Sequence, residues 1–195
     1  MKTNKLNLRF SVITLMILLA AMSRLLPHPP NFAPIGGMAL FGAAYLSKRY
    51  WAFFVPLVAM WISDLVLNNV VYGAYFERFV WFYNGSLFTY GAFALIVVFG
   101  MFMLKKVRLP NLIASALGAS VIFFLVSNFG VWFSGMMYPR TFGGLLACYT
   151  AGIPFFQNTL LGDLVYTGVL FGAFEWCSRK FLQLSCRSAV VEANV

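Results

Sequence analysis

The chain alternates between long apolar runs and short polar stretches. Six apolar runs predict helices at about residues 8–26, 34–48, 51–71, 86–104, 110–133 and 152–176. A helix of about 20 apolar residues crosses the hydrocarbon core of a bilayer, and all but the second run reach or approach that length. The pattern predicts an all-α polytopic membrane protein with six transmembrane helices, in a single domain over residues 1–180. Residues 181–195 are predicted to form a polar cytoplasmic tail.

Two stretches depart from this simple pattern. The second run barely crosses a core of about 30 Å, so we expect it either to borrow flanking residues or to lie buried among its neighbours. Its Ala39 and Ala43 have the spacing that allows close contact between helices. Between the fifth and sixth runs, residues 134–149 contain Pro139 and a pair of glycines, which predict an irregular connection.

Composition agrees with an integral membrane protein. Hydrophobic residues make up 62% of the chain and charged residues 10%, whereas soluble domains are roughly 45–50% apolar and about 25% charged. The three cysteines, Cys148, Cys177 and Cys186, form no CxxC pattern and indicate neither a disulfide framework nor a zinc site; their redox state is left open. Phosphate-binding GxxxxGK[ST], HExxH and GxSxG motifs are missing from the sequence. We therefore predict no cofactor, no metal and no ATP hydrolysis by this chain.

The basic residues predict the orientation in the membrane. With six spans, one side carries eleven lysines and arginines and the other carries three, Arg24, Arg78 and Arg140. Basic residues collect on the cytoplasmic side of a membrane protein, so both termini are predicted to be cytoplasmic. The same bias accounts for the net charge of +9, which in a soluble protein would suggest nucleic acid as a partner.

Polar residues concentrate toward the outer side. The stretch from Ser23 to Gly37 holds the only histidine and four prolines, and supplies three candidate ligand-binding residues: Arg24, His28 and Asn31. The last outer connection adds Tyr138 and Arg140. A single histidine cannot build a multi-histidine metal or haem site, so His28 is at most a rigid contact residue.

Further candidates lie on the outer halves of the helices: Asp64, Asn68, Asn128, Trp132, Asn158 and Asp163. Asp64 and Asn68 are spaced to share one helix face. A carboxylate near mid-membrane costs at least about 2.5–3.5 kcal/mol and normally faces the bundle or a cavity. One interpretation is an outward-facing pocket with these residues at its floor and the loops as its lid. The other is structural, with Asp64 or Asp163 paired to Arg24 or Arg140 and the amides joining helices.

Several segments together resemble one family of small bacterial membrane proteins. They are SRLLPHPPNFAPIGGMALFGAAY from Ser23, SDLVLN from Ser63, SNFGVW from Ser127, and YPRTFGGLLACYTAGIPFFQNTLLGDLVYTGVLFG from Tyr138. That family has no assigned function, and it is similar to the substrate-binding S components of energy-coupling factor (ECF) transporters of the bacterial inner membrane.

The S-component likeness implies a six-helix bundle that binds a vitamin-like small molecule in an outer pocket under loops 1, 3 and 5. It also implies partners, namely the lipid bilayer, a membrane coupling subunit and ATPases. The motif positions that would line the pocket are Arg24, His28, Asn31, Asp64, Asn68, Asn128, Arg140, Asn158 and Asp163. One feature departs from the pattern, because S components carry an AxxxA motif on the first helix and this chain has its nearest match at Ala39 and Ala43.

Other functions remain open from the sequence. A membrane enzyme could use Asp64, Asp163 or His28 as acid or base, although no catalytic residue is assigned. A structural subunit would use its polar residues only to join helices, and a channel or gradient-driven carrier would need a polar path to the cytoplasm. The outer Arg24, Arg140 and His28 suggest an anionic or polar ligand. The two aspartates could equally bind an amine, and the aromatic residues suggest that the ligand contains a ring.

Overall fold

The computed structural model describes residues 2–181 and residue 184. Over that part the chain forms six α-helices: α1 (Lys2–Met22), α2 (Ile35–Tyr45), α3 (Arg49–Val66), α4 (Ser86–Met103), α5 (Leu109–Ser134) and α6 (Phe142–Lys180). Short helical turns follow α1 and α3, at Ser23–Leu25, Leu67–Val71 and Gly73–Tyr75. Apart from Phe181 and Leu184, the predicted tail at 181–195, with Cys186, lies outside the described residues.

Five of the six helices are long and apolar enough to span a membrane. They are α1, α3 together with the turn that follows it, α4, α5 and α6. The exception is α2, which has 11 residues, of which those from Gly36 to Gly42 are all buried. It packs against α3, α4 and α6. Of the two expectations for the second apolar run, burial among neighbours is the one observed.

The position of α2 depends on small residues at its contacts. A Cβ on Gly42 would lie 2.7 Å from Pro56 Cγ of α3, and one on Gly100 of α4 would lie 3.0 Å from Ala43 Cβ. Both distances are too short for ordinary packing, so glycine lets these helices approach α2 closely. Ala43, predicted as a helix-contact residue, therefore does face a neighbouring helix.

Aromatic packing holds the opposite side of α2. The ring of Phe41 lies 5.4 Å from that of Phe171 and 5.6 Å from that of Phe174, both edge to face. All three rings are buried. Edge-to-face pairs of this kind stabilise a core by about 0.5–1.5 kcal/mol each beyond the area they bury. The contacts join α2 firmly to the second half of α6.

The boundaries of the first and last helices differ from prediction. The first begins at Lys2 rather than near residue 8. The last begins at Phe142, so the prediction of an irregular connection through 149 is wrong over 142–149. Thr141 explains the early start, because its side chain accepts a hydrogen bond from the Gly144 N–H at 3.1 Å and caps the helix. The glycine pair that suggested a break is compatible with a helix, and Gly144 lets Pro139 pack closely against it.

The end of α3 also departs from a regular helix. Residues Leu67–Val71 form a π-turn, which adds a residue to the helical repeat and shifts the side chains that follow. Asp64 stays buried in the bundle, whereas Asn68 lines a small recess with the loop residues Gly73 and Phe76 to Phe79. Asn68 therefore borders this recess and Asp64 does not, so the two residues have different surroundings.

Candidate functional site

The connections α1–α2, α3–α4 and α5–α6 meet at one end of the bundle around a cavity of about 550 Å³, which we call the loop-end cavity. Its lining comes from all three connections and from the adjoining helix ends. Among the sequence candidates, those that line it are Arg24, His28, Asn31, Asn128, Tyr138 and Asp163. The remaining candidates, Asp64, Asn68, Trp132, Arg140 and Asn158, lie outside the lining.

Arg24 and Asp64 form a buried ion pair at one wall of the cavity. Arg24 Nη1 lies 2.7 Å from Asp64 Oδ1, with side-chain exposures of 12% and 6%. The same nitrogen donates to Ser63 Oγ at 2.6 Å, and the Tyr90 hydroxyl donates to Asp64 Oδ2 at 2.7 Å. This network joins the end of α1 to α3 and α4. The Asp64 carboxylate, bound by Arg24 and Tyr90, therefore holds α1, α3 and α4 together.

Asp163 is a buried residue of α6 that borders the cavity and caps the short helix α2. Its Oδ1 accepts from the Gly36 N–H at 2.9 Å and its Oδ2 from the Ser120 hydroxyl at 2.7 Å. The first N–H groups of a helix lack partners within the helix, and a carboxylate there also interacts favourably with the helix dipole. A Cβ on Gly36 would overlap the Asp163 carboxyl group, so only glycine permits this approach.

The Pro-rich stretch after α1 lies along α6 and is held at three points. The Asn158 amide donates to Pro30 O at 2.9 Å, and the Ser23 and Tyr166 hydroxyls are 2.8 Å apart. Between them, a Cβ on Gly162 would lie 3.0 Å from Ala33 N, so the loop backbone touches the helix directly. Asn158, Gly162 and Tyr166 follow one another at one-turn spacing on a single face of α6.

His28 and Asn31 lie exposed at the rim of the cavity. The ring nitrogens of His28 lie 2.9 Å from Pro29 O and 3.2 Å from Arg24 O, so the ring is engaged with its own loop. Asn31 has a left-handed backbone, with φ of 64°, which asparagine tolerates better than most residues. Within the described part of the chain, no hydrogen bond engages the Asn31 side-chain amide.

Asn128 lies on α5, lines the cavity and contacts α6 at Cys148 and Gly152. Its Nδ2 donates to Phe124 O one turn earlier, at 2.8 Å. A Cβ on Gly152 would lie 2.6 Å from Asn128 Oδ1, so the glycine leaves room for this amide. The buried Cys148 thiol donates to Asn128 O at 3.4 Å. Asn128 Oδ1 itself has no hydrogen-bond partner among the residues that the structure describes.

Trp132 and Arg140 hold the α5–α6 connection instead of lining the cavity. The Trp132 indole donates to Pro139 O and Thr141 O, both at 3.1 Å. Arg140 donates to Ser134 O at 3.2 Å, at the end of α5, and its guanidinium lies over the Phe133 ring. A cation at the C-terminus of a helix complements the helix dipole. Of the predicted residues in this connection, only Tyr138 lines the cavity.

Sequence reasoning missed four residues at this end: Asn69, Tyr72, Tyr83 and Tyr90. Asn69 exchanges hydrogen bonds with the backbone of Val80, at 2.7 and 2.9 Å, and so fixes the loop between α3 and α4. Tyr72 and Tyr83 line the cavity. Burial raises the pKa of the Tyr83 phenol, and a hydrogen bond with Thr89 lowers it in part. The aromatic residues of the sequence suggest a ring-containing ligand, but nothing in the spacing of the tyrosines distinguishes these three from the others.

The arrangement suits binding of a small molecule. Its walls combine aromatic side chains, including Phe123, Phe124 and Phe156, with aliphatic and polar ones. Cavities of about 300–1,000 Å³ with this mixture are typical of small-molecule sites. In the described ranges no three histidine, cysteine, aspartate or glutamate side chains are grouped so that they could hold a metal ion.

Comparison with known proteins gives a family assignment without a function. No curated protein and no solved structure matches the chain. The family model for DUF6580, described as a family of unknown function, matches residues 4–186. That match covers nearly the whole sequence, and the chain therefore belongs to the DUF6580 family.

Proposed function

We propose that this protein is a substrate-binding membrane component for the uptake of a small, vitamin-like molecule, which it binds in the loop-end cavity. The observation that supports the proposal most strongly is the cavity itself, about 550 Å³ in volume and bordered by all three connections at one end of the bundle. In a subunit whose polar residues only join helices, side chains would be expected to fill this space. Here they leave it open.

The two membrane aspartates favour binding over catalysis. Asp64 is held by Arg24 and Tyr90, and Asp163 by the Gly36 N–H and Ser120. A general acid or base must reach the proton it transfers in a plausible substrate pose. Both carboxyl groups already have close partners on neighbouring elements, so their primary role in this proposal is to shape and support the cavity.

In this proposal the cavity opens to the outside of the bacterial inner membrane and both termini are cytoplasmic. Support comes from the distribution of lysine and arginine, eleven on one side and three on the other, together with the positive-inside rule. Labelling of a Met137→Cys variant by a membrane-impermeant thiol reagent in intact cells tests this orientation.

The S-component likeness adds an ECF-type coupling subunit and ATPases as partners, since this chain has no nucleotide-binding motif of its own.

The proposal predicts that a small-molecule extract stabilises the protein through the cavity. Ala151 lines the cavity and Ala147, one turn earlier on α6, does not, so Ala151→Phe fills the site and Ala147→Phe is its matched control. A ligand at 100 times its Kd stabilises by about 2.7 kcal/mol, which corresponds to roughly 5–10 °C in Tm for a chain of this size.

The measurement is thermal unfolding in detergent, with and without a dialysable extract of the source cells. We expect the extract to raise the Tm of the wild type and of Ala147→Phe but not of Ala151→Phe. Equal shifts in all three proteins, or no shift in any, would count against a ligand in the cavity.

A further inference from the structure

The cationic side chain at the cavity wall has its charge compensated within the protein. Arg24 is the only lysine or arginine among the described residues that line the cavity. Its ion pair with Asp64, at 2.7 Å, places an opposite charge beside the guanidinium. Arg140, the other outer arginine considered for a ligand, is directed to Ser134 O and Phe133. An anionic ligand would thus meet no uncompensated arginine here.

The acidic side chain that borders the cavity is likewise occupied. Asp163 is 1% exposed, and both of its oxygens accept hydrogen bonds from protein donors, Gly36 N–H and Ser120. It also lies at the N-terminus of α2, where the helix dipole stabilises negative charge. An amine on a ligand would have to compete with these donors for a group that is almost fully enclosed.

The polar groups left free in the cavity are uncharged. Among the described residues, no hydrogen bond engages the Asn31 amide, Asn128 Oδ1 or the Tyr138 hydroxyl, although all three residues line the cavity. The surrounding walls are rich in phenylalanine and tyrosine rings, which stack favourably on flat ligands. Free amides and a phenol recognise carbonyl, amide and hydroxyl groups through ordinary hydrogen bonds.

We infer that the loop-end cavity selects an electrically neutral, ring-containing solute whose amide, carbonyl or hydroxyl groups hydrogen-bond to Asn31, Asn128 and Tyr138. The inference rests on the proposed function and narrows it, because it excludes organic anions and amines as the main substrates. It also assigns the Arg24–Asp64 pair a second role, which is to prevent the Arg24 guanidinium from presenting an uncompensated positive charge to the cavity.

The electrostatic potential of the cavity can be measured without knowing the ligand. Ser127 lines the cavity, so we place one thiol there by Ser127→Cys after replacing Cys148, Cys177 and Cys186 with serine. The purified protein is treated with three methanethiosulfonates that carry a methyl, a sulfonatoethyl or a trimethylammonioethyl group. Each rate is divided by the rate of the same reagent with 2-mercaptoethanol. For a neutral cavity, we expect the normalised rates of the anion and the cation to agree within about threefold.

Substitutions of Asp64 and Arg24 change the charge beside the cavity in opposite directions. Asp64→Asn in the same background should favour the anionic reagent over the cationic one by about tenfold, because Arg24 is then uncompensated. Arg24→Gln should shift the ratio in the opposite direction, so the test survives if one variant fails to fold. A thiol placed by Phe142→Cys, outside the cavity lining on an 82% exposed side chain, should show little change in either variant.

The results separate this inference from the proposed function. A parental ratio that departs tenfold or more from unity would overturn the neutral cavity, while a stabilising extract would still support ligand binding. Lack of reaction with all three reagents in the folded protein, with full reaction after denaturation, would overturn the inference because solutes could not enter. Agreement of the two rates, together with the opposite shifts in the variants, supports it.

Discussion

Replacing Asp64 with alanine is expected to destabilise the protein by about 3–5 kcal/mol, the usual cost of removing one partner of a buried ion pair. The pair joins Arg24 at the end of α1 to Asp64 in α3 at 2.7 Å, with both side chains largely buried. Without the carboxylate, the guanidinium is left uncompensated beside the cavity. Thermal or denaturant unfolding in detergent measures the loss.

Two further variants separate the ion pair from its surroundings. Arg24→Met combined with Asp64→Leu removes both charges and should recover much of the stability, because hydrophobic replacement of a whole buried pair is often neutral or stabilising. Tyr90→Phe removes one hydrogen bond to Asp64 and should cost about 1.5–3 kcal/mol, the usual range for a hydrogen bond to a charged group. If Asp64→Ala cost no more than Tyr90→Phe, the ion pair would not be the main contact between these helices.

Replacing Asp163 with alanine is expected to cost about 1–3 kcal/mol, the usual cost of leaving a buried donor without its acceptor, here the N–H group that the carboxylate caps. The Gly36 N–H, now bound by Asp163 Oδ1 at 2.9 Å, would lose this acceptor. Asp163 is 1% exposed although it borders the loop-end cavity, so we expect water from the cavity to replace the carboxyl group only in part. The effect should appear as a lower Tm and as faster hydrogen exchange in the first turn of α2.

Asparagine at position 163 provides the control. Its amide oxygen can still accept from Gly36, and its amide nitrogen can donate to the Ser120 hydroxyl, which also lies 3.0 Å from Ala116 O. Asp163→Asn should therefore retain most of the stability that Asp163→Ala loses. Gly36→Ala should be as damaging as Asp163→Ala, since a Cβ there overlaps the carboxyl group. Equal losses in the alanine and asparagine variants at 163 would show that the cap is not the main contribution.

Much of the fold could be predicted from hydrophobic runs because each helix must bury its backbone polar groups within itself. The ends of the helices were predicted less accurately than their number and order. Glycine, read as a helix breaker, lies inside α6 because it allows Pro139 to approach at Gly144, and Thr141 supplies a cap that was not recognised. The π-turn at Leu67–Val71 has no sequence signature of this kind, and Asn68 within it lines a separate recess instead of the loop-end cavity.

The candidate site was predictable as a region but not residue by residue. Six of the eleven candidate residues do meet around one cavity, since the three connections lie at the same end of the bundle. The sequence could not show which of these side chains are paired with other parts of the protein and which remain free to bind a ligand. Asp64 and Asp163 join helices, and Trp132 hydrogen-bonds the α5–α6 connection. Asn31 and Asn128 keep free hydrogen-bonding groups within the described part of the chain.

The central claim is that a small molecule occupies the loop-end cavity, and native mass spectrometry of the purified protein tests it most directly. The account predicts one adduct of a single defined mass on the wild type and on Ala147→Phe, and its loss in Ala151→Phe, whose new side chain fills the same space. An adduct retained equally by Ala151→Phe, or only lipid masses in all three proteins, would contradict a ligand in this cavity.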